Sequence, residues 1–565
     1  MTAAHLHGPA RPGAVARWGE ALMAAAFVVL LCLVAARPFL GEHLFRFSPL
    51  EGVLGAPVRA EDPPTPASRL ELARATFAAG LMAAFALWAL GAALSRRPIR
   101  RAWFGAVIVG FAAVALASAL SADDRRSGLL VWAEQAAILL AAFVAAQLCA
   151  DRRRWNLLVA VLAAVGIALA VKGLWQFFVE APERLGDFRA YRAERLSAVG
   201  AAGDAPRAAM LQTRLADPAP FGYFGLTNTF ASLLVVLLAA AAGLAADAIA
   251  SAKRLRRTDP AGKGEVHLPT LAAGVAVCGT ALAAAALVLT GSRAGIAAGI
   301  LAAAGAVVVA VFRRRLVPHA RKAAVAAAVF VLACAAVVAY RVRNDKSMIF
   351  RWFYWTASAE IVRDRPLLGV GGGNFGDAYL QHRRAEAEEA VKAPHNFVAH
   401  ATAQFGLIGG GLYLAAVFGV LWGIVPKGPP AGPREAGETS APASTTGPSV
   451  GRLAAVVAAV LLARLLFGGI SWSFYLVLLD GLLPALVFAA ALAASLWIAG
   501  VLPWRGPVAG GGARIALGCG AAGFVVHNLV EFSMWTPATA LVFWTAAGGL
   551  LARAGGPRGR RLLQL

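Results

Sequence analysis

Apolar runs long enough to cross a bilayer recur along the whole chain, and they constrain its fold more than any other feature. A transmembrane helix needs about 20 mostly apolar residues, and runs of this kind alternate here with short polar or basic segments. The chain has 565 residues, of which 59% are hydrophobic and only 15% charged; a soluble protein would carry about 25% charged residues. The pattern predicts an all-α polytopic integral membrane protein with about 12 to 14 transmembrane helices.

The basic residues indicate the orientation of these helices. The formal net charge is +23, and the dense Arg and Lys clusters lie between apolar runs, as in the cytoplasmic loops of an inner-membrane protein. With about 14 spans and both termini cytoplasmic, the clusters share one side of the membrane. The long loops around residues 179–221 and 341–396 then face the periplasm. No soluble basic domain with interleaved aromatic residues is present, so nucleic acid is not an expected partner.

The chain divides into four parts on this view. Residues 1–210 hold the N-terminal transmembrane helices with one periplasmic loop, and residues 211–425 form a transmembrane core that contains the large loop 341–396. Residues 426–452 are low-complexity and predict a disordered cytoplasmic linker. Residues 453–565 hold the C-terminal helices. The basic N-terminal flank precedes a long apolar run that ends in Arg37-Pro38 rather than a small-residue cleavage site, which predicts an uncleaved first helix.

The stretch from Arg351 to Leu414 is the most polar and aromatic part of the core. A soluble excursion of this size between two membrane helices is where a multi-span protein places chemistry. Its glycine run, Gly369 to Gly373, lacks the strand, the spacing and the Lys-Ser/Thr of a phosphate loop. The run instead predicts a tight turn that lets the backbone approach a neighbour closely.

Two arginines are candidates for binding an anion. Arg293 lies between two apolar runs with almost no loop, which is costly unless the side chain faces a cavity, an anion or a carboxylate, or extends to the interface. Arg351 opens a segment whose aromatic spacing predicts an amphipathic helix on the outer membrane surface. For both arginines, a solvated side chain and a phosphate ligand are the two readings that the local sequence allows.

Three histidines lie on the same predicted face. His395 follows Pro394 and precedes Asn396 at the outer end of a span; His400 lies deeper, and His527 ends a later span. A lone histidine is usually structural, but the arginines in the same loop favour a catalytic His395. No HExxH motif or clustered carboxylate accompanies these histidines, so no metal site is expected.

The ordered motifs of the core resemble the O-antigen ligase and polymerase superfamily. They are R-x-x-Y-W, D-x-P-L-L-G-V-G-x-G-N-F, P-H-N and Q-F-G-L-I-G in the large loop and the span after it. GSRAG at Gly291 to Gly295 resembles the SR element of this family. FGYFGLTNTFASLL (Phe221 to Leu234) and HNLVEFSMWTPA (His527 to Ala538) resemble two further elements. The resemblance covers roughly residues 210–540.

The resemblance implies a membrane glycosyltransferase that uses a polyprenyl-diphosphate-linked glycan donor, with no cofactor and no metal at its active site. It implies that Arg293 and Arg351 bind the diphosphate and stabilise it as leaving group. It implies that His395 activates or positions the acceptor hydroxyl. The acceptor would be a lipid core, a protein or a growing polysaccharide, and the direct displacement would invert the anomeric carbon. The active site would face the periplasm from the inner membrane.

Further positions are matched as substrate-binding residues, some with departures from the family pattern. They are Asn228, Arg214, Asn396, Gln404, His527 and Glu531. Leu226 and Thr227 replace the first asparagine and the proline of an N-P-N element that ends at Asn228. Gln404 stands where many members have Glu, and Glu531 stands where many have Asp.

Two other functions compete with this interpretation. A transporter or flippase of a lipid-linked or anionic solute would also have many spans and buried arginines, but it should show an internal repeat or paired broken helices. A non-catalytic envelope polysaccharide assembly factor would keep the fold without the activity. The sequence does not separate ligase from polymerase.

Overall fold

The computed structural model describes residues 14–40, 66–198, 203–258, 267–341, 343, 345–387, 389–425, 450–467, 477–501 and 511–554. Regular structure within these residues is helical, and no strand is formed among them. Two sequence expectations concern residues outside these ranges. The basic N-terminal flank lies in residues 1–13, and the predicted linker at 426–452 is described only from residue 450.

The helices follow one another with short connections. They are α1 (Ala14–Ala36), α2 (Pro66–Leu94), α3 (Ala102–Leu120), α4 (Arg125–Leu148), α5 (Arg152–Trp175), α6 (Ala181–Ala190), α7 (Arg192–Ala198), α8 (Ala205–Ala216), α9 (Thr227–Thr258), α10 (His267–Leu289), α11 (Arg293–Leu316), α12 (Ala320–Arg341), α13 (Lys346–Asp364), α14 (Phe375–His382), α15 (Phe397–Ile424), α16 (Val450–Phe467), α17 (Leu483–Val501), α18 (Gly511–His527) and α19 (Pro537–Arg553).

Ten stretches of the described chain are long and apolar enough to cross a membrane. They are Ala14–Phe39, Leu70–Leu94, Ala102–Leu120, Arg125–Leu148, Arg152–Ala190, Thr227–Arg254, Leu268–Leu289, Arg293–Val331, Phe397–Ile424 and Leu483–Gly500. Helices α16, α18 and α19, each of 17 or 18 residues, lie where the sequence predicts further spans. The protein is therefore an all-α polytopic membrane protein, which confirms the predicted fold class.

Small residues allow the helices to pack closely. A Cβ atom added at Gly243 of α9 would lie 2.5 Å from the Ala513 Cα of α18, and one at Gly548 of α19 would lie 2.1 Å from the Ala142 carbonyl oxygen of α4. Membrane helices associate mainly through such close backbone approach, because lipid supplies no hydrophobic drive between them. Helices from the N-terminal, central and C-terminal parts of the chain interleave in this way, and the division into four parts remains a description of the sequence.

The bundle has two ends of different character. At one end, which we call the basic face, the Arg101 guanidinium donates to the Leu551 carbonyl (3.3 Å), and that of Arg553 donates to the Ala150 carbonyl (3.1 Å). The Asp247 carboxylate accepts the Gly512 and Ala513 N–H groups there, at 2.8 and 3.1 Å. The other end, which we call the opposite face, carries the turns from α3 to α4 and from α18 to α19, and the large loop that contains α13 and α14.

Helix α15 is broken near its opposite-face end at Gly406, whose φ is 66° and ψ −174°. The segment 366–371 fills the break with its own backbone. Val370 and Gly371 N–H donate to the carbonyls of Ala403 (3.0 Å) and Gln404 (2.9 Å), and Leu407 N–H donates to that of Pro366 (2.7 Å).

The same close contact explains the glycine run. Gly369 and Gly371 have φ of 67° and 88°, in the left-handed region that glycine adopts most readily. A Cβ atom at Gly369 would lie 2.5 Å from the Ala403 carbonyl oxygen. The prediction of a tight turn with close backbone approach is confirmed.

Candidate active site

His395 is held in an unusual backbone conformation beside the first turn of α15. Its φ is 50°, which is uncommon for a residue with a side chain and persists only where the surroundings fix it. On one side, the Pro394 carbonyl accepts the Trp355 indole N–H at 3.0 Å. On the other, Asn396 caps α15 by accepting the Val398 and Ala399 N–H groups. Both neighbours of His395 are thus fixed.

The Asn396 side chain also ties this turn to the last pair of helices. Its amide N–H donates to the Leu529 carbonyl at 2.9 Å, and the Phe397 N–H donates to the Asn528 carbonyl at 3.0 Å. Asn396, expected as a substrate ligand, therefore has all its observed bonds to the protein backbone.

Glu531 lies against His395 from the turn between α18 and α19. Its Oε2 is 3.7 Å from His395 Nδ1; the Glu531 side chain is 1% exposed and that of His395 is 23% exposed. Among the described residues, neither Glu531 carboxylate oxygen nor His395 Nδ1 makes a hydrogen bond. The His395 ring meets the Phe532 ring edge to face at 4.9 Å.

The Glu531 carboxylate is ionised despite its burial. Burial raises the pKa of this carboxyl, but the imidazoles of His395 and His527 and the Phe532 N–H more than offset that effect, and its pKa lies below the ordinary value. A buried carboxylate beside an imidazole is the arrangement that orients a general base.

His527 and Asn528 close the site from the end of α18. His527 Nδ1 is 2.9 Å from the Ser232 Oγ of α9, and the Asn528 amide N–H donates to the same oxygen at 3.4 Å. The Asn528 carbonyl oxygen of the side chain accepts the Met534 N–H at 2.7 Å. All three polar residues are buried, so this network joins α9 and α18 rather than facing solvent.

Helix α13 brings Arg351 and Tyr354 to the same region. Its buried side consists of Tyr354, Ala357 and Ile361 and packs against α14 and α15. The predicted helix is thus present. The Tyr354 hydroxyl donates to the Glu389 carboxylate. Burial and this bond raise the pKa of Tyr354 well above its usual range, which keeps the hydroxyl protonated.

The Arg351 guanidinium is half-buried in this loop. Its Nη1 is 2.5 Å from the Ser347 Oγ, while its Nε is buried without a hydrogen bond within the described chain. Arg351 lies close enough to act electrostatically on both Tyr354 and His527. It therefore carries a free donor at the edge of the histidine cluster.

Arg293 is the first residue of α11, after the cap Ser292, whose Oγ accepts the Gly295 N–H at 3.2 Å. The Arg293 side chain is exposed, and within the described ranges it has no hydrogen bond or ion pair. Helices α9, α11, α15 and α19 all begin on this face. Each helix N-terminus carries about half a positive charge, so these ends and the two arginines favour an anion here.

The other residues predicted to bind substrate occupy different settings. Gln404 is 4% exposed, and its side-chain oxygen accepts the Gly373 N–H at 3.1 Å, so it braces the glycine turn. Asn228 is half-buried in the first turn of α9. Arg214 is exposed on α8, between the buried Leu211 and Leu215. His400 is buried against the rings of Phe375 and Trp535.

Three residues of this region were not expected from the sequence. Tyr354 could have been found, because it follows Arg351 at helical spacing in the R-x-x-Y-W motif. Ser232 and Glu389 carry no local signal, since the first lies in an apolar helix and the second in an acidic run. No group of three or more His, Cys, Asp or Glu that could hold a metal ion occurs within the described part of the chain.

The comparison with protein families decides the relationship of this chain. Residues 278–414 match a family model described as O-antigen ligase. The matched segment contains Arg293, Arg351 and His395 and the break in α15. The chain is a member of the O-antigen ligase superfamily. Neither the curated proteins nor the solved structures contain a match to it.

Membership of this O-antigen ligase superfamily indicates a multi-pass membrane protein of the ligase or polymerase type of glycosyltransferase, and it suggests a lipid-linked glycan donor. The matched segment ends at residue 414. Ser232, His527 and Glu531, which enclose His395, lie outside it.

Proposed function

We propose that this protein transfers a glycan from a polyprenyl diphosphate to a hydroxyl acceptor at the outer face of the inner membrane. The observation that carries the proposal is the pairing of His395 with the buried Glu531 on the same face as Arg293 and Arg351. This places a base and two cations where helix N-termini also favour negative charge.

The two arginines and the helix N-termini would stabilise the departing diphosphate. Negative charge grows on the bridging oxygen as the bond from the anomeric carbon to the diphosphate breaks. Arg351 has a free buried donor and Arg293 an unpaired guanidinium, so both can bind that charge without first leaving another partner. Fixed cations stabilise such a charge strongly because they need little reorganisation during the reaction. On this proposal the arginines supply the charge that a metal would otherwise provide.

His395 would act on the acceptor. Its imidazole takes the proton of the acceptor hydroxyl while that oxygen attacks the anomeric carbon and the diphosphate leaves from the opposite side. One carbon–oxygen bond forms as another breaks, and the configuration at the anomeric carbon inverts. The acceptor is a hydroxyl of a lipid core, a protein or a growing polysaccharide.

An apolar groove beside Arg293 suits the lipid part of the donor. It has a volume of about 590 Å³ and lies between the end of α5 and α10, with Leu174, Phe178, Leu282, Val288 and Leu289 among its lining residues. Leu289 ends α10, and the turn to Arg293 follows at once. A prenyl chain in this groove would bring its diphosphate to the start of α11.

The distribution of arginines supports the proposed orientation. The clusters at residues 96–101, 152–154 and 313–315 lie at or beyond helix ends on the basic face. By the positive-inside rule this face is cytoplasmic. The opposite face, with His395, is then periplasmic.

The break in α15 is the one observation that favours a transporter, because discontinuous helices line the ion and substrate sites of many transporters. In this protein, however, the backbone groups freed at Gly406 are bonded by the segment 366–371. They are not available to coordinate a solute, which favours the enzyme.

The test uses purified protein in detergent with a polyprenyl-diphosphate-linked oligosaccharide and hydroxyl acceptors. We expect release of polyprenyl diphosphate that requires an acceptor and survives a chelator. His395→Ala and Arg293→Ala should lose this release, whereas His382→Asn, which alters an exposed pair with Asp364, should retain it. If all variants released nothing while liposomes carrying the protein moved the lipid-linked glycan across the bilayer, the transporter would replace the enzyme.

A further inference from the structure

We propose that Glu531 is a positioning residue for His395: it accepts the Nδ1–H of the imidazole, so that Nε2 is the nitrogen that faces the acceptor hydroxyl. The inference rests on the proposed function, because it assigns Glu531 a part in the work of His395. It also changes the role that the sequence suggests for Glu531, from substrate ligand to partner of the base.

The geometry leaves Glu531 no better role. Its carboxylate is 1% exposed and lies 3.7 Å from His395 Nδ1, a separation that closes to a hydrogen bond with a small side-chain movement. Catalytic hydrogen bonds are often long in an unliganded enzyme and tighten when substrate binds. A side chain this deeply buried, with an imidazole between it and the solvent, cannot reach a glycan directly.

The backbone on both sides of the pair is fixed. His395 is held at a φ of 50° between Pro394 and the cap Asn396. The turn that carries Glu531 is tied to α15 through the Leu529 and Asn528 carbonyls. The Phe532 ring blocks rotation of the imidazole from one side. These contacts fix which ring nitrogen meets the carboxylate.

His527 is placed to support Glu531 rather than to bind substrate. It is 2% exposed, and its Nδ1 is engaged by Ser232. Its imidazole acts electrostatically on Glu531. The carboxylate therefore lies between two imidazoles, of which only that of His395 is exposed to solvent.

The proton balance of the step is simple. The acceptor hydroxyl gives its proton to His395 Nε2 and an imidazolium forms, while Nδ1–H remains bonded to the Glu531 carboxylate. The carboxylate stabilises this positive charge and does not itself take the proton, as in the serine protease triad. Removing the negative charge should therefore lower the rate of the chemical step and leave donor binding unchanged.

Other charged groups near the pair must be considered in any pH experiment. Arg351 and Tyr354 face it from α13, with Glu389 bonded to Tyr354, and His400 and His527 approach from α15 and α18. Glu531→Gln keeps the shape of the side chain and removes only its charge. Changes that follow this substitution can thus be assigned to the carboxylate.

The first measurement compares the kinetics of wild type, Glu531→Gln, Glu531→Asp and the exposed control Glu360→Gln. We expect Glu531→Gln to lower kcat by about 100-fold or more, the usual scale of general-base catalysis, with the donor KM unchanged. Glu531→Asp should restore part of kcat, and Glu360→Gln should match the wild type. A raised donor or acceptor KM with unchanged kcat would overturn the inference and make Glu531 a substrate ligand.

The second measurement does not depend on activity. Diethyl pyrocarbonate modifies neutral imidazole, and mass spectrometry of the peptide that contains His395 gives the rate of labelling at each pH. A neighbouring carboxylate favours the imidazolium, so its loss should move half-maximal labelling of His395 about one pH unit lower in Glu531→Gln. An unchanged labelling curve in a folded Glu531→Gln protein would overturn the inference.

The two proposals fail in different ways. If His395→Ala retains transfer while the labelling curve still moves in Glu531→Gln, the proposed function of His395 fails and the pairing stands. If His395→Ala is inactive while Glu531→Gln keeps both its kcat and its labelling curve, the proposed function stands and the positioning role fails.

Discussion

The two ends of the helical bundle use the same residue types for different purposes. On the basic face, Arg101 and Arg553 donate to carbonyls at helix ends, and Asp247 accepts the first N–H groups of α18. On the opposite face, Arg293 is unpaired among the described residues, Arg351 keeps a buried Nε without a bond, and Glu531 meets only imidazoles and a backbone N–H.

This difference separates charges that hold the fold from charges available to a ligand. A helix terminus leaves several backbone groups without partners, and a charged side chain that bonds them stabilises the fold. A buried polar atom without a partner costs free energy, so its persistence on the opposite face indicates a function that the fold alone does not supply.

The largest expected effect concerns the break that builds the opposite face. A Cβ atom at Gly406 would lie 2.2 Å from the Leu367 carbonyl oxygen, at a φ of 66°, whereas no atom lies within 4 Å of one at Gly411 in the same helix. Gly406→Ala should destabilise the protein by about 3 kcal/mol or more, because the inserted segment must leave the break. Gly411→Ala should be neutral or stabilise by up to about 1 kcal/mol. Thermal unfolding monitored by size-exclusion chromatography in detergent measures both, and equal losses would contradict this account of the break.

The next effect contrasts arginines on the two faces. Arg351→Ala should lower transfer by about 100-fold, the scale seen when a single charge-stabilising donor is removed, and leave the unfolding temperature nearly unchanged. Arg553→Ala should keep transfer and lose about 1 to 2 kcal/mol of stability with its bond to the Ala150 carbonyl. Activity and thermal unfolding are measured on both variants. If the two arginines exchanged these effects, the functional distinction between the faces would be wrong.

The smallest effect is a pH dependence at an exposed pair on the opposite face. Burial lowers the pKa of His382, but the Ala378 carbonyl and the Asp364 carboxylate more than offset this, and the pKa is raised. The pair therefore stabilises the fold fully below about pH 6.5, and this stabilisation is lost as pH rises through the raised pKa. The unfolding temperature of wild type should exceed that of His382→Asn by a small margin at pH 6, and the margin should vanish at alkaline pH. A margin that grows with pH would reverse the assigned sign.

The sequence predicts the fold class well because membrane helices are specified by length and apolarity alone. It also predicts the glycine turn, since three glycines in five positions indicate backbone that needs positive φ. It does not predict where that turn inserts, because the break at Gly406 is created by a segment about 40 residues earlier in the chain.

The candidate site is predicted only in part. The motifs single out Arg293, Arg351 and His395, but their roles depend on neighbours that the motifs do not specify. Asn396 and Gln404 look like ligand residues because they are polar and stand beside the motifs; in the fold, both bond the backbone. The closeness of Glu531 to His395 arises from helix packing over a long chain separation, which local sequence does not encode.

The order of the contributing residues along the chain sets a limit on when the protein can become active during its synthesis. Ser232, Arg293, Arg351 and His395 are translated before the last pair of helices, and Glu531 arrives in the turn between those two. The carbonyls that tie down the α15 cap, Asn528 and Leu529, arrive with it. A nascent chain that already carries the whole recognisable family segment therefore lacks the carboxylate that faces the histidine. On our proposal, lipid-linked glycans that reach the protein before α18 and α19 insert would meet its cations but not a working base.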